Sequence, residues 1–300
     1  MNILLLTLLF LLSTFFLKDN RSQAAEVVNV IKSANYRTLR AEIYYQESKA
    51  SIVAPRLKIT HTGQILFNEP IVVEGQETFA KIVTPLAVDL DGDWEAEVVI
   101  DVATKDIKGL NYSVIYKYDP ETKKYRQIVH GWDNFAYGRT VKDIDKDGSL
   151  EFLTYDNRFS SKFVAGDGTL GPIKIWKFKD GQIVDVTTQF KDIVYSNATK
   201  LWQQYDELRH SRKKDPSLQR VLLAAYLGDK YTLGQAEEAW KLIKESYRYR
   251  DHKKYFELLK TFLDESGYTK VVVAPETEKP TADVKDRVKE NKGVKSINKK

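Results

Sequence analysis

The sequence predicts an α+β protein in which a β-rich repeat region precedes a small helical bundle. In residues 41–190, short runs rich in Val, Ile, Tyr and Phe alternate with Gly, Asp, Asn and Pro, a pattern typical of strands and turns. In residues 197–267, apolar residues recur instead with the period of a helix. Two segments of the β-rich region also repeat each other along the chain.

The first element is a predicted signal peptide, residues 1–25. Residues 3–17 form an uncharged apolar run, and Ser22-Gln23-Ala24 follows it and fits the small-x-small cleavage rule. The run is shorter than the roughly 20 residues that a helix needs to cross a bilayer. We therefore expect export to the periplasm or the extracellular space. Because the basic residues lie after the apolar run, an uncleaved segment that anchors the chain in the membrane is the alternative.

The second element is a predicted β-repeat domain, residues 26–196. Segments 88–98 and 142–152 align without gaps, and each is followed by a strand–turn–strand pattern, at 113–129 and 173–186. Residues 57–66 resemble the second of these hairpins. A period near 50 residues with several short strands in each unit is typical of propeller blades.

Each aligned segment contains an acidic loop with carboxylates at positions 1, 3, 5 and 9. The eight residues are Asp89, Asp91, Asp93 and Glu97 in the first loop and Asp143, Asp145, Asp147 and Glu151 in the second. Alternate residues of a tight loop can direct their oxygens to a common centre, and hard oxygen donors suit calcium. With Glu95, the first loop places five negative side chains close together, so it needs a counter-ion.

An EF-hand is excluded. That motif requires a Glu at position 12 and flanking helices. Position 12 is Ile100 in the first loop and Thr154 in the second, and the flanking residues are typical of strands.

The loops resemble the FG-GAP or VCBS repeats of integrin α-subunit propellers and of many secreted bacterial proteins. The hallmark of these repeats is Asp-x-Asp-x-Asp-Gly-x-x-Asp/Glu between two strands. The second loop matches it throughout, including Gly148, whereas the first has Trp94 at the glycine position. The resemblance implies two structural calcium sites, in which the backbone carbonyls of Glu95 and Ser149 add to the side chains at positions 1, 3, 5 and 9.

Two full units and a partial one are fewer than the roughly four to eight blades of a propeller. The expected fold of this domain is therefore a partial, propeller-like array of FG-GAP/VCBS-like blades. An open array, assembly with a second copy of the chain and a sandwich-like pair of blades all remain possible.

The third element is a predicted helical domain, residues 197–270. Asp215-Pro216 is typical of an N-cap followed by proline at the first helical position. Residues 271–300 are nearly devoid of apolar side chains and are predicted to be a disordered tail.

The sequence contains little that indicates catalysis. It has no nucleophile-elbow, phosphate-loop, dinucleotide-binding or zinc-protease motif. Asp156 and Asp167 are the acid/base candidates. None of the four histidines has a second ligand at metal-binding spacing; they are His61, His130, His210 and His252. Four aromatic residues could line a glycan-binding face, although core packing is the preferred interpretation; they are Trp132, Tyr137, Tyr155 and Trp176.

The amino-acid composition excludes several classes of protein and of site. A hydrophobic content of 42% excludes wholesale disorder, and the absence of cysteine excludes disulfides, thiolate metal sites and cysteine nucleophiles. Acidic and basic residues are interleaved around a net charge of +5, which is not the pattern of a nucleic-acid-binding protein.

We therefore expect an exported, non-enzymatic, calcium-binding repeat protein with a structural, scaffolding or interaction role at the cell envelope. Its expected partners are calcium and an envelope protein or glycan, and self-association is possible. One alternative is an envelope hydrolase that acts on glycans or phosphoesters. The other is a module that binds peptides or proteins through the helical domain.

Overall fold

The computed structural model describes residues 28–48, 51–104, 111–133, 139–163, 170–212 and 215–270. The predicted signal peptide, the tail 271–300, Tyr137 and Asp167 lie outside these ranges. The described residues form three sheets followed by a C-terminal helical region, which confirms the predicted α+β class.

The first sheet is an antiparallel meander whose strands lie in chain order. Its strands are β1 (Val28–Tyr36), β2 (Leu39–Glu47), β3 (Ile52–His61) and β4 (Gln64–Pro70). In β2, Leu39, Ala41, Ile43 and Tyr45 are buried and alternate with more exposed residues, as expected when one face of a strand packs on a core. The predicted hairpin 57–66 is formed by β3 and β4.

The second sheet has the order β5-β7-β8-β9, and β6 also pairs with β7. Its strands are β5 (Lys81–Ile82), β6 (Leu86–Val88), β7 (Glu97–Ala103), β8 (Tyr112–Asp119) and β9 (Lys124–Gly131). The first acidic loop connects β6 to β7. A core cluster joins this sheet to the first one; its members include Ala41, Ile43, Leu57 and Ile59 of the first sheet and Val98, Ile100, Val114 and Tyr116 of the second.

The third sheet has the order β10-β11-β12-β13. Its strands are β10 (Thr140–Lys142), β11 (Glu151–Tyr155), β12 (Ile173–Lys179) and β13 (Gln182–Asp185). The second acidic loop connects β10 to β11, so both acidic loops lie between two neighbouring strands of a sheet.

The helices are α1 (Arg158–Phe163), α2 (Lys191–His210), α3 (Pro216–Thr232), α4 (Ala236–Ser246) and α5 (His252–Glu265). Helix α2 begins at Lys191, six residues before the predicted start of the helical domain. The predicted N-cap of α3 is confirmed, because the Asp215 carboxylate accepts hydrogen bonds from the backbone N–H groups of Ser217 and Leu218, each at 3.0 Å. None of the described helices has both the length and the apolar character needed to cross a membrane.

The described residues divide into two compact units, and neither is one continuous stretch of chain. The N-terminal unit contains the residues up to Phe152 together with Lys177–Val184. The C-terminal unit contains Leu153–Trp176 together with the residues from Asp185 onwards. Both acidic loops belong to the N-terminal unit.

Candidate metal centre

The two acidic loops have the same backbone conformation. In the first, Gly92 and Trp94 have φ of 80° and 73°; in the second, Lys146 and Gly148 at the same positions have φ of 64° and 92°. Glycine tolerates this left-handed region, whereas other residues adopt it at a cost of roughly 1–2 kcal/mol. The first loop therefore makes the turn that the glycine of the motif would make, but with a tryptophan at that position.

The aspartate at position 1 holds the turn of each loop. The Asp89 carboxylate accepts hydrogen bonds from the backbone N–H of Gly92 at 2.7 Å and of Trp94 at 2.8 Å. The Asp143 carboxylate accepts the equivalent bonds from Lys146 at 2.6 Å and Gly148 at 3.2 Å. These bonds explain why the two loops share one shape although their glycines lie at different positions.

The glutamate at position 9 closes each loop from the adjoining strand. Oε2 of Glu97 accepts the backbone N–H of Leu90 at 2.8 Å, and Oε2 of Glu151 accepts that of Ile144 at 3.0 Å. Both glutamates are fully buried. Each therefore keeps a second carboxylate oxygen for another partner inside the loop.

Carboxylates from positions 1, 3 and 9 meet in each loop. One ligand oxygen from each of Asp89, Asp91 and Glu97 lies within 4.8 Å of the other two. The second loop brings together its corresponding residues, Asp143, Asp145 and Glu151, within the same limit. Oxygen donors at this spacing are a chemically suitable partial ligand set for calcium, which takes roughly six to eight oxygens at about 2.3–2.6 Å.

The aspartates at position 5 lie outside these groups of three and contact a lysine instead. Nζ of Lys117 lies 2.7 Å from Asp93, 2.9 Å from Asp91 and 2.8 Å from Glu97. The first loop therefore already contains one internal cation.

The second loop repeats this arrangement with Lys177. Its Nζ lies 2.6 Å from Oδ2 of Asp147 and 3.3 Å from Oε1 of Glu151. That Glu151 oxygen is buried and makes no hydrogen bond, and the same is true of Oδ1 of Asp91 in the first loop. Each centre thus retains a buried carboxylate oxygen that the lysine does not hydrogen-bond.

Burial and the lysines act in opposite directions on the acidic groups. Burial raises the pKa of Glu97 to about 7, against the lowering effect of Lys117 and the Leu90 N–H, and it also raises the pKa of Glu151. The exposed Asp147 has a lowered pKa because of its hydrogen bond from Lys177. Burial alone would lower the pKa of Lys117, but its hydrogen bonds to three carboxylates raise it.

The two loops lie side by side. The backbone N–H of Leu150 donates to the carbonyl of Leu90 at 3.0 Å, and a Cβ atom added to Gly92 would lie 3.3 Å from Oγ of Ser149. The two sets of three carboxylates therefore lie next to each other in one acidic region of the N-terminal unit. At position 7, Ser149 is buried and Glu95 is exposed.

Sequence reasoning missed the two lysines, although a signal for them was present. When the hairpins at 113–129 and 173–186 are aligned, Lys117 and Lys177 occupy the same position, directly after Tyr116 and Trp176. A lysine repeated in register behind a repeated acidic loop is a candidate counter-ion. Recognising it requires knowing which face of the hairpin points towards the loop.

The other candidate residues form packing contacts, ion pairs and hydrogen bonds of the kind that stabilise a fold. Asp156 has no exposed surface; it forms an ion pair with Arg158 at 2.6 Å and accepts a hydrogen bond from the Tyr268 hydroxyl at 3.1 Å. Its proposed acid/base partner, Asp167, lies outside the described residues. Trp132 is buried against Phe152, with ring centroids 5.5 Å apart, as the core interpretation predicted.

The remaining aromatic and histidine candidates are dispersed. Trp176 and Tyr155 are half-buried, and Trp176 donates a hydrogen bond to Oγ1 of Thr154. His130 packs edge-on against a tryptophan ring, and His252 contacts a backbone carbonyl. His61 and His210 each line a surface cavity. The described residues bring none of the four into a group of metal ligands.

One family model matches the C-terminal part of the chain. Residues 194–267 match the family described as the sll0997 C-terminal domain. Probable thylakoid lumen protein sll0997 of Synechocystis sp. (strain ATCC 27184 / PCC 6803 / Kazusa) is 30% identical over 109 residues, which are 36% of this chain and 31% of that protein. Uncharacterized protein y4bJ of Sinorhizobium fredii (strain NBRC 101917 / NGR234) is 29% identical over 134 residues, 42% of this chain and 20% of that protein.

Among solved structures, the Bombyx mori GH32 beta-fructofuranosidase BmSUC1 aligns with 52% of this chain and 36% of its own, at 11% identity and a TM-score of 0.30. A TM-score this low supports no argument about fold or activity. The chain spans less than a third of the length of the curated relatives that it matches.

Proposed function

We propose that this chain is an exported, calcium-binding protein of the FG-GAP/VCBS-like type, with a structural, scaffolding or interaction role at the cell envelope. The observation that carries the proposal is the duplication of one acidic centre. The two loops share their φ angles, their position-1 and position-9 hydrogen bonds, their groups of three carboxylates and their lysine. A chance acidic turn would not reproduce all four features.

The strand arrangement supports a partial, propeller-like array as the finer description of the β-rich region. The first and third sheets each have four strands in chain order, and the second differs by one additional short strand. Four-stranded sheets are the usual blades of propellers. The acidic loops connect strands that are neighbours in a sheet, which is where FG-GAP loops are expected.

Charge balance favours a divalent cation over the lysine as the counter-ion of each loop. Each loop has four carboxylates at positions 1, 3, 5 and 9 and one lysine, which contacts three of them in the first loop and two in the second, so most of the negative charge is not neutralised within the loop. Carboxylates confined at this distance repel one another strongly, more so where they are buried. A calcium ion would displace the lysine from the oxygens and bind in its place.

Export is supported by the predicted signal peptide and by the name of one relative. That relative is named as a thylakoid lumen protein, and the lumen lies across a membrane from the site of protein synthesis. Periplasmic or extracellular location is the finer proposal, and an uncleaved N-terminal segment would instead keep the chain at a membrane.

A second candidate function is binding of a peptide or protein through the helical part. The family match covers residues 194–267, which marks the helical part as a unit shared with other proteins and makes it the natural place for an interaction of its own. In this alternative the β-rich region presents the helical part, and calcium maintains the β-rich region without contacting the partner.

The test of the calcium proposal is calorimetric titration of the full chain with Ca²⁺, paired with melting curves in calcium and in chelator. Asp91→Asn and Asp145→Asn each remove one ligand charge without removing the position-1 bonds that hold the turn. We expect two sites in the wild type, with affinity reduced at least tenfold at the altered site of each single variant and at both sites of the double variant. The exposed Glu121→Gln serves as a control and should retain both sites.

A lysine variant tests whether calcium and Lys117 compete for the same oxygens. If calcium competes with the lysine, Lys117→Met should bind calcium more tightly at the first site and melt at a lower temperature in chelator than the wild type. If neither the wild type nor Lys117→Met produces heat or a shift in melting temperature with millimolar calcium, the calcium proposal is wrong and the lysines are the permanent counter-ions.

A further inference from the structure

The N-terminal unit contains a surface cavity of about 530 Å³ that the calcium proposal does not use. Four aromatic rings line it: Tyr36, Trp94, Tyr118 and Tyr125. They come from the end of β1, the first acidic loop, β8 and β9. The cavity is therefore assembled from segments far apart in sequence, and its volume lies within the roughly 300–1,000 Å³ typical of small-molecule sites.

Trp94 is placed in the cavity at a conformational cost. The residue is 73% exposed and its backbone is left-handed, at a position where the second loop has glycine. A bulky residue in this region is unusual, and such strain is concentrated at functional sites. Burial cannot account for this tryptophan, since most of its surface contacts solvent.

Arg37 contacts this indole from the two-residue turn between β1 and β2. It has a φ of 51°, and its guanidinium lies 5.2 Å from the centroid of the Trp94 ring and 5.3 Å from that of Tyr36. The guanidinium thus supports the position of the indole by cation–π contact. The Trp94 indole, with much of its surface exposed, is therefore held at the cavity by Arg37.

The polar residues of the cavity define the class of ligand. Arg37 and Glu95 carry opposite charges, so together they give no net preference for an anion or a cation. Oγ1 of Thr38 and Nε2 of His61 lie 2.8 Å apart and together offer donor and acceptor capacity at the wall. The flat aromatic rings of the cavity can stack on a ligand ring that carries C–H groups on its face. The polar lining groups, whose charges balance, can hydrogen-bond hydroxyls at the edge of that ligand ring.

We propose that this cavity binds an uncharged saccharide of two or three pyranose rings, with one sugar ring stacked on Trp94. This inference goes beyond the calcium proposal and does not require it, because none of the lining side chains is one of the carboxylates at positions 1, 3, 5 and 9. The two proposals share only the first loop, in which Trp94 and Glu95 are positions 6 and 7.

The experiment is titration of the full chain by calorimetry with neutral trisaccharides, namely cellotriose, chitotriose and maltotriose, in calcium and again in chelator. A tyrosine-containing pentapeptide serves as the alternative probe. We expect at least one trisaccharide to bind at micromolar to millimolar concentration and to shift the indole N–H resonance of Trp94.

The variants are chosen so that misfolding cannot imitate the result. Trp94→Gly installs the residue that the second loop has at this position, so it should preserve the loop and its melting temperature while weakening saccharide binding at least tenfold. Trp94→Phe should weaken binding less. Tyr195→Ala, which removes an exposed ring from helix α2, should bind as the wild type does.

Three results would overturn the proposal: no trisaccharide binds at millimolar concentration, Trp94→Gly binds as tightly as the wild type, or the pentapeptide binds and the trisaccharides do not. Loss of the calcium response with retention of saccharide binding would overturn the calcium proposal alone.

Discussion

At the scale of single residues, Asp229 in helix α3 is a carboxyl group of the C-terminal unit whose burial opposes ionisation. It is fully buried, and it accepts hydrogen bonds from the backbone N–H of Ile173 at 3.0 Å and from Nδ2 of Asn197 at 2.7 Å. Burial raises its pKa well above the ordinary value, although these donors, together with Lys174 and Lys230, act in the opposite direction. The unfolded chain therefore releases this proton at a lower pH than the folded protein.

The raised pKa predicts a particular pH dependence. Below about pH 4 the group is protonated in both states, and above that pH the wild type loses stability as the pH rises towards the folded-state pKa. We expect Asp229→Asn to remove this loss, which is at most about 1.4 kcal/mol per pH unit. The measurement is the free energy of unfolding from denaturant titrations between pH 4 and 8. The exposed Asp192→Asn should keep the wild-type slope, and an unchanged slope in Asp229→Asn would show that the carboxyl is already ionised.

At the scale of elements, helix α3 packs closely because it contains a glycine. A Cβ atom added to Gly228 would lie 2.4 Å from Cγ of Pro172 and 3.0 Å from Cζ of Phe159. The proline ring cannot rotate away, so the helix itself would have to move. The close approach explains a glycine in the middle of a helix, where it is otherwise unfavourable.

Two effects of opposite sign therefore compete in Gly228→Ala. Helix propensity favours alanine by about 1 kcal/mol, whereas overpacking a core contact costs about 1–3 kcal/mol. We expect the clash to dominate and the variant to be destabilised by about 1–2 kcal/mol in denaturant unfolding. The exposed Gln204→Ala in α2 should change stability by less than about 0.5 kcal/mol. A stabilised Gly228→Ala would mean that α3 lies farther from Pro172 than described.

At the scale of the whole molecule, the C-terminal unit is not the helical region alone. Helix α1, which precedes the last two strands, contributes Phe159 and Phe163 to the helical core. Phe159 packs against Phe262 and Tyr268, with ring centroids 4.8 and 5.2 Å apart, and Phe163 packs against Phe262 at 5.3 Å. Phe159 and Phe163 lie outside the family match, which covers residues 194–267.

This arrangement predicts which fragment folds. Truncating a buried phenylalanine costs about 3–5 kcal/mol, which is comparable with the whole stability of a small domain. We expect fragment 153–270 to melt cooperatively, and fragment 191–270 to melt at least about 10 °C lower and to bind a hydrophobic dye. In the longer fragment, Phe159→Ala with Phe163→Ala should reproduce the loss. Equal melting temperatures for the two fragments would show that α1 contributes nothing to this core.

The sequence by itself determined the features that depend on near neighbours in the chain. The α+β class, the hairpin 57–66, the Asp215 cap and the acidic loops all arise from periodicity, turn residues or spacing within about a dozen positions. The alignment with Gly148 also identified Trp94 as the residue at the glycine position of the first loop, although its conformation became known only from the structure. Local patterns of this kind act before any distant contact is made.

Only the tertiary structure decided which distant residues meet. Lys117 contacts Asp93 from the hairpin that follows the loop, and Trp94 contacts Arg37 of the β1–β2 turn. Helix α1 packs in the helical core although β12 and β13 separate it from the other helices in sequence. No period or spacing encodes these pairings, because they depend on how complete sheets and helices pack. The physical reason is that burial and charge compensation act between surfaces, and those surfaces exist only after the local elements have formed.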